Sequence, residues 1–235
     1  MKKTIFFMLA ALLAVLASCG GSKLKPLEGN PNLVTFTEKT KDGLMEIGVA
    51  DLSGHVIITP DRYRNIVGDE YTISCVTPTN HWKLFKVNGE YLGTYEMVTP
   101  WRKGGTYYLG VVYTKKTYYF PKEDLVITTN NAHSELEVLF LETADGWKIL
   151  NFDGKELSSL PQSFTIVKDE KIPTKMWIAV LDKGKRPLCT FYTPQGEVYK
   201  KLTLTKWRKI EKNLSIKKTL TDRVNIATTK EFEKI

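Results

Sequence analysis

The stretch Asp145-Gly146-Trp147-Lys148-Ile149-Leu150-Asn151-Phe152-Asp153-Gly154-Lys155-Glu156-Leu157 decides the reading of the fold. An apolar, aromatic run opens it, an Asp-Gly pair interrupts it, and the chain turns apolar again at Leu157. That succession is strand, tight turn, strand. Asp153-Gly154 predicts a two-residue type I′ hairpin, in which both central residues take positive φ. Val87-Asn88-Gly89-Glu90 carries Asn-Gly in the same role. Leu52-Ser53-Gly54-His55 and Pro194-Gln195-Gly196-Glu197 also set a glycine at a turn, and Tyr113-Thr114-Lys115-Lys116-Thr117-Tyr118 reads as a glycine-free hairpin tip.

Outward from this stretch the same unit recurs. Gly48 to Ile58 runs on to Pro60 and to Tyr63–Ile66; Trp82 to Leu92 runs on to Tyr95 and Val98. Gly146 to Leu157 continues to Phe164 and Val167, and Thr190 to Val198 continues to Leu202 and Trp207. Leu109–Tyr113, running to Tyr119, reads as a degenerate copy. The turn glycines at 54, 89, 154 and 196 are 35, 65 and 42 residues apart, so the middle gap has room for two units. A period of this length signals a repeat architecture. One hairpin cannot bury its apolar face, whereas stacked hairpins share a core. Trp82, Phe85, Trp147, Phe152 and Phe191 are the expected core residues. The expected fold is all-β: an array of β-hairpin repeats, propeller-like or open and solenoid-like, with an irregular β-sandwich as the alternative. The repeats should occupy 33–210, with 211–235 as a C-terminal extension. Short helices are expected only after Leu220 and over Thr228–Ile235, because no stretch holds an apolar stripe for three helical turns.

The quoted unit resembles the WG repeat. Asp145-Gly146-Trp147-Lys148 followed by Asp153-Gly154-Lys155-Glu156 carries the likeness best, with Gly48-Val49-Ala50-Asp51 and Gly54 as a second copy. It extends over about 45–210. One copy holds the literal Gly-Trp pair, and Thr59-Pro60-Asp61-Arg62-Tyr63 stands where the family carries Pro-Pro-x-Tyr. The resemblance implies a β-repeat scaffold or binding module without a catalytic signature.

The other end of the chain has a separate logic. Lys2 and Lys3 precede an uninterrupted run of thirteen apolar and small residues, Ile5 to Ala17. Thirteen residues reach only ~20 Å as a helix, short of the ~30 Å hydrocarbon core, so the run reads as a secretory signal. Leu16-Ala17-Ser18-Cys19 resembles the lipobox of bacterial lipoproteins. The resemblance implies cleavage before Cys19, a diacylglycerol thioether on its sulfur and acylation of the new amine. Residues 1–18 are then the signal peptide and 19–32, rich in Gly, Lys, Pro and Asn, a lipidated flexible tether. Gly20, rather than aspartate, follows the cysteine; by analogy with enteric bacteria an outer-membrane address is expected. No later segment is long and apolar enough to span a bilayer.

The formal charge of +8 falls to +6 once Lys2 and Lys3 leave with the signal. This mild excess, in an exported chain, excludes a dedicated nucleic-acid binder and suits an acidic glycan, a lipid headgroup or an acidic protein face. Cys75 and Cys189 both lie in β-like runs; a disulfide and two buried free thiols are both compatible with an oxidising compartment. Reactive clusters are sparse. His55 and His133 read as turn residues and His81 precedes Trp82; no His-Glu-x-x-His, Cys-x-x-Cys, Gly-x-Ser-x-Gly or Walker pattern occurs. Glu123-Asp124 and Asp169-Glu170 read as solvated loop charge. No cofactor, metal or catalytic residue is assigned.

Two stretches suit binding. Trp101, Tyr107, Tyr108 and Tyr113 lead a run of seven aromatics ending at Phe120, able to stack on sugars or to pack across strands. Lys206, Trp207 and Arg208 centre a second stretch, Tyr199 to Lys218, with eight positive charges against Glu211 alone. It suits an anionic surface or a solvated edge strand, where lysine blocks edge-to-edge pairing. The expected function is that of a membrane-anchored envelope lipoprotein, not an enzyme, that binds or scaffolds protein or glycan. The alternative is an envelope hydrolase with a site assembled from loops. Cys19→Ala should abolish labelling by palmitate and remove the protein from the membrane fraction; unchanged labelling would overturn the lipobox reading.

Overall fold

The computed structural model describes residues 24–160, 164–172, 174–181, 187–218 and 224–229. Among these residues five sheets follow one another along the chain. The first holds β1 (Lys25–Leu27), β2 (Asn30–Lys39), β3 (Met45–Asp51) and β4 (Val56–Asp61). The second holds β5 (Asn65–Gly68), β6 (Thr72–Val76), β7 (Trp82–Lys86) and β8 (Tyr91–Tyr95). β9 (Met97–Trp101), β10 (Tyr107–Val112), β11 (Lys115–Phe120) and β12 (Leu125–Thr129) form the third. β13 (Ala132–Glu135), β14 (Val138–Thr143), β15 (Gly146–Asn151) and β16 (Glu156–Leu160) form the fourth. The fifth is built from β17 (Thr165–Asp169), β18 (Met176–Leu181), β19 (Leu188–Tyr192) and β20 (Val198–Thr203). Helix α1 (Leu204–Glu211) follows, and β21 (Ser215–Lys218) and β22 (Asn225–Thr229) then join this sheet on the β17 side, β22 parallel to β17. The chain is thus an all-β repeat protein of successive four-stranded meanders. It divides into two compact units, one ending at Val98 and taking in Gly110–Tyr113, the other made of Thr99–Leu109 and the chain from Thr114 on.

The quoted turns share one construction. Asn151 N–H donates to Lys155 O (3.0 Å), Gly154 N–H donates to Asn151 O (3.1 Å), and Gly154 has φ +94°. Asn151 Oδ1 accepts from the N–H groups of Asp153 (3.0 Å) and Lys155 (2.9 Å), which fixes the bend. The loop therefore has three residues, and among them only the glycine takes positive φ. Asp51–His55, Lys86–Glu90 and Thr193–Glu197 repeat the pair of backbone bonds. The expected type I′ turns are corrected: Asn88 and Asp153 keep negative φ, because side-chain oxygens hold the preceding bend and the glycine alone restores the twist.

Each of these hairpins carries a bulge just beyond its turn. Leu150 pairs with Glu156 and Ile149 with Ser158, leaving Leu157 unpaired. By the same register shift Ile57, Leu92 and Tyr199 are the extra residues of β4, β8 and β20. Every one lies three residues after its turn glycine. The glycine of one sheet is pressed onto the sheet before it. A Cβ on Gly89 would lie 2.5 Å from Ile57 O, one on Gly154 2.4 Å from Phe120 Cβ, and one on Gly196 2.6 Å from Ser158 Cβ.

The third sheet supplies the copy missing from the 65-residue gap, but in a different phase. Its equivalent hairpin is β11–β12, where Asp124 (φ +47°) stands in the glycine's place behind a longer turn and the register has no bulge. The degenerate copy expected from Leu109 to Tyr119 falls one strand early.

Other boundaries differ too. The tether expected over 19–32 already contributes β1 and the start of β2 from residue 25 on. Leu27 is buried, and buried Asn30 donates through Nδ2 to Asp69 O at 2.7 Å. The C-terminal extension supplies β21 and β22, and Thr228 is strand rather than helix. The signal, Cys19, the stretch 219–223 and residues 230–235 lie outside the described residues. Trp147, Phe152 and Phe191 are buried in the core as expected, while Trp82 and Phe85 are half-buried. Gly154→Ala should cost more than ~2 kcal/mol, since it adds a collision to the strain of positive φ. Gly43→Ala, with φ +79° but its nearest neighbour the flexible Lys39 Cε at 3.6 Å, should cost only ~1 kcal/mol. Urea titration of both variants separates backbone strain from collision; equal losses would refute the seating of Gly154.

Candidate functional site

The bulge of the last sheet differs in kind from the others. Ile57, Leu92 and Leu157 are aliphatic; the equivalent residue of β20 is Tyr199, 47% exposed. Bulges re-aim side chains. Here the extra residue lets Tyr199 lie flat on Trp177 of β18, with ring centroids 3.9 Å apart and planes 8° from parallel. The stacked pair borders a cavity of about 510 Å³. Leu136, Met176 and Pro194 supply apolar wall, and Thr174, Lys175 and Gln195 supply polar groups. Leu136 is placed by a two-residue turn in which both Leu136 (φ +49°) and Glu137 (φ +62°) are left-handed, an uncommon state for residues with a Cβ. A flat aromatic platform with an amide, a hydroxyl and an ammonium at its margin can hold a ring and orient it. Among the described residues that line the cavity there is no carboxylate or imidazole.

The residues singled out in sequence are distributed differently. Tyr107 is buried, stacked on Trp101 (5.8 Å, 13°) and in edge or tilted contact with Tyr118, Phe120 and Phe152. Tyr108 is buried against Tyr119 and receives a hydrogen bond from Arg102 Nη2 (2.5 Å). As ligand platforms both are corrected, since their faces are spent on packing. Trp101 is 38% exposed, but its indole N–H donates to Lys103 O (2.7 Å) and its ring also meets Phe152. Tyr113, at a hairpin tip, is 85% exposed. The aromatic run is therefore not one binding face.

The basic stretch is strand and then helix. Thr203 caps α1, its Oγ1 accepting from Lys206 N–H at 3.4 Å. Trp207 is buried edge-on against Phe191 (5.5 Å, 68°) and is corrected from ligand contact to anchor of the helix. Leu204 and Ile210 flank it, one helical turn away on either side, which leaves Lys206 and Arg208 exposed. The expected edge strand is thus replaced, after Thr203, by an amphipathic helix.

Cys75 and Cys189 are free and buried, and burial pushes each thiol up to about 12. Neither is disposed for thiolate chemistry. His133 belongs to β13 rather than to a turn, and Asp169 is buried at the end of β17, its Oδ1 accepting from Lys171 N–H (2.8 Å). Among the described residues no group of three or more His, Cys, Asp or Glu side chains is arranged to hold a metal ion. No described helix is long and apolar enough to cross a membrane.

No family model matches the chain, and no curated protein matches it. Solved structures with some likeness include BamB from Moraxella catarrhalis, with 9% identity, 76% of each chain covered and a TM-score of 0.25. The WD40 domain of a Toxoplasma gondii coronin has 9% identity over 76% of this chain and 58% of that one, with a TM-score of 0.27. The extracellular domain of a hybrid two-component system from B. thetaiotaomicron has 11% identity over 79% and 35%, with a TM-score of 0.25. Scores this low carry no inference about ligands or partners.

The fourth and fifth sheets are tied together near this groove by charge. Lys168 Nζ on β17 lies 2.6 Å from Glu135 Oε1 on β13, and His133 Nε2 lies 3.7 Å from the same carboxylate. The neighbouring His133 imidazole, aided by the Lys168 ammonium, holds the Glu135 carboxyl below its usual range despite its partial burial. A depressed pKa stabilises the fold above the ordinary carboxylate value, and that stability is lost as pH falls through the depressed one. Glu135→Gln should therefore cost ~1–2 kcal/mol at neutral pH. The deficit should shrink on acidification, because the parent protein then loses the same interaction; urea titrations at neutral and acid pH test this, and a pH-independent deficit would refute it.

Proposed function

We propose that this chain is an exported lipoprotein, held to the cell envelope through Cys19, whose β-repeat domain is a non-catalytic binding module for glycan. The observation that carries the glycan reading is the Tyr199–Trp177 platform beside Thr174, Lys175 and Gln195. Sugars present an apolar C–H face and a rim of hydroxyls, and an aromatic plane edged by an amide and an ammonium complements both. The lining favours binding over hydrolysis, since glycoside cleavage ordinarily needs two carboxyl groups across the scissile bond. The apolar signal ending in Leu16-Ala17-Ser18-Cys19 supports the anchor and the outer-membrane address.

An envelope glycan array, followed by calorimetry on the positive ligand, tests the reading. Tyr199→Ala should weaken binding about tenfold or more while leaving the unfolding midpoint nearly unchanged, because Tyr199 is half-exposed. An array without a ligand, or a ligand indifferent to Tyr199→Ala, would refute it. A protein captured through the same groove would replace glycan as the partner.

A further inference from the structure

A second cavity, of about 480 Å³, opens in the first compact unit, far along the sequence from the aromatic groove. Its walls combine Lys25 and Arg64, the hydroxyls of Thr35 and Thr37, and the apolar side chains of Met45 and Ile47. Among the described residues no carboxylate lines it. The register explains the grouping: Lys25 pairs with Thr35 and Thr37 with Ile47, while Lys39 pairs with Met45 one step further along the same face. Arg64 is steadied by its Nη1 bond to Asn80 Oδ1 (2.5 Å) and keeps its other donors. The lining residue Met45 belongs to the β2–β3 hairpin, where Leu44 and Met45 are 44% and 55% exposed. Lys39, Lys41 and Asp42 lie around them at the tip, and Glu38 pairs with Glu46 one step back from Lys39 and Met45. Two cations lining a cavity with Met45 and Ile47, beside the exposed Leu44–Met45 pair, match the depth profile of a membrane interface: phosphate outside, hydrocarbon inside.

We propose that this cavity seats the phosphate headgroup of an anionic phospholipid, with Leu44 and Met45 entering the interface beside it. The occupant is chosen by reach. Lys25 follows Cys19 by six residues, and six residues span at most ~20 Å, so the lipid on Cys19 keeps the cavity at the bilayer surface. The inference thus rests on the proposed anchor. It also gives the anchor an orientation: Lys25 and Arg64 turn the first unit's cavity towards the leaflet that holds Cys19.

The test uses the full, lipidated chain with Met45→Cys carrying an environment-sensitive fluorophore, the native Cys75 and Cys189 being buried. The protein is reconstituted in phosphatidylcholine vesicles with and without phosphatidylglycerol. The expected result is a blue shift, and quenching by headgroup-nitroxide lipid, in the anionic vesicles. Each cation near an anionic leaflet strengthens association about fivefold, so Lys25→Glu with Arg64→Glu should weaken the response by more than ~25-fold. Flotation with the vesicles should persist through the lipid. Equal spectra in both vesicle types, or a response unaffected by charge reversal, would overturn the proposal. So would a response to a soluble anionic polysaccharide and none to vesicles. Failure of the anchor reads out separately, as an intact mass without lipid on Cys19. In that event co-flotation of the unlipidated chain with anionic vesicles, lost on charge reversal, would uphold the cavity's role, and its absence would overturn it.

Discussion

The architecture depends on a steric condition at the hairpin turns. A glycine at positive φ is seated against the preceding sheet so closely that a Cβ would collide, at Ile57 for Gly89, at Phe120 for Gly154 and at Ser158 for Gly196. The condition joins two scales. Within a hairpin it sets the three-residue loop and the following bulge, and so decides which face each strand buries. Between sheets it sets how near one meander can approach the next. Shared cores such as that of Phe140, Trp147, Ile166 and Ile178 can close only at that approach.

The bulge has been put to two uses. In β4 and β16 the extra residue is aliphatic and lies where the next turn glycine is seated. In β20 it is Tyr199, and the same backbone irregularity instead lays an aromatic ring on Trp177. A repeated structural position thus comes to present a half-exposed stacked aromatic by exchange of one side chain, with no new backbone geometry.

The repeat was legible because its turn glycines are required by the backbone and are therefore visible in sequence. The third sheet was not, because Asp124 replaces the glycine and its turn is longer. Tyr107 and Tyr108 were ambiguous in principle: a ring that stacks on sugar also stacks on Phe120 or Tyr119, and only burial distinguishes the two. Helix α1 was hidden because one buried side chain, Trp207, with Leu204 and Ile210 beside it, makes too short a stripe to stand out among lysines. The first strands were hidden by polar composition, since Asn30 is buried through a hydrogen bond that composition does not reveal. Tyr199 did leave a signal: counting three residues on from each turn glycine gives Ile, Leu, Leu and then Tyr.

The parallel pairing of β17 with β22 sets the order in which the molecule can be completed. The first four sheets are each made from one contiguous stretch, so each can assemble as soon as its own residues are available. The fifth cannot, because Thr165 must find Asn225 and Asp169 must find Thr229. A chain delivered from its N-terminus would hold β17 with one edge unpaired until β22 arrived. Exposed edges invite wrong partners. The interval between the appearance of Asp169 and that of Thr229 is therefore the stage at which the fifth sheet has its central edge open to wrong partners.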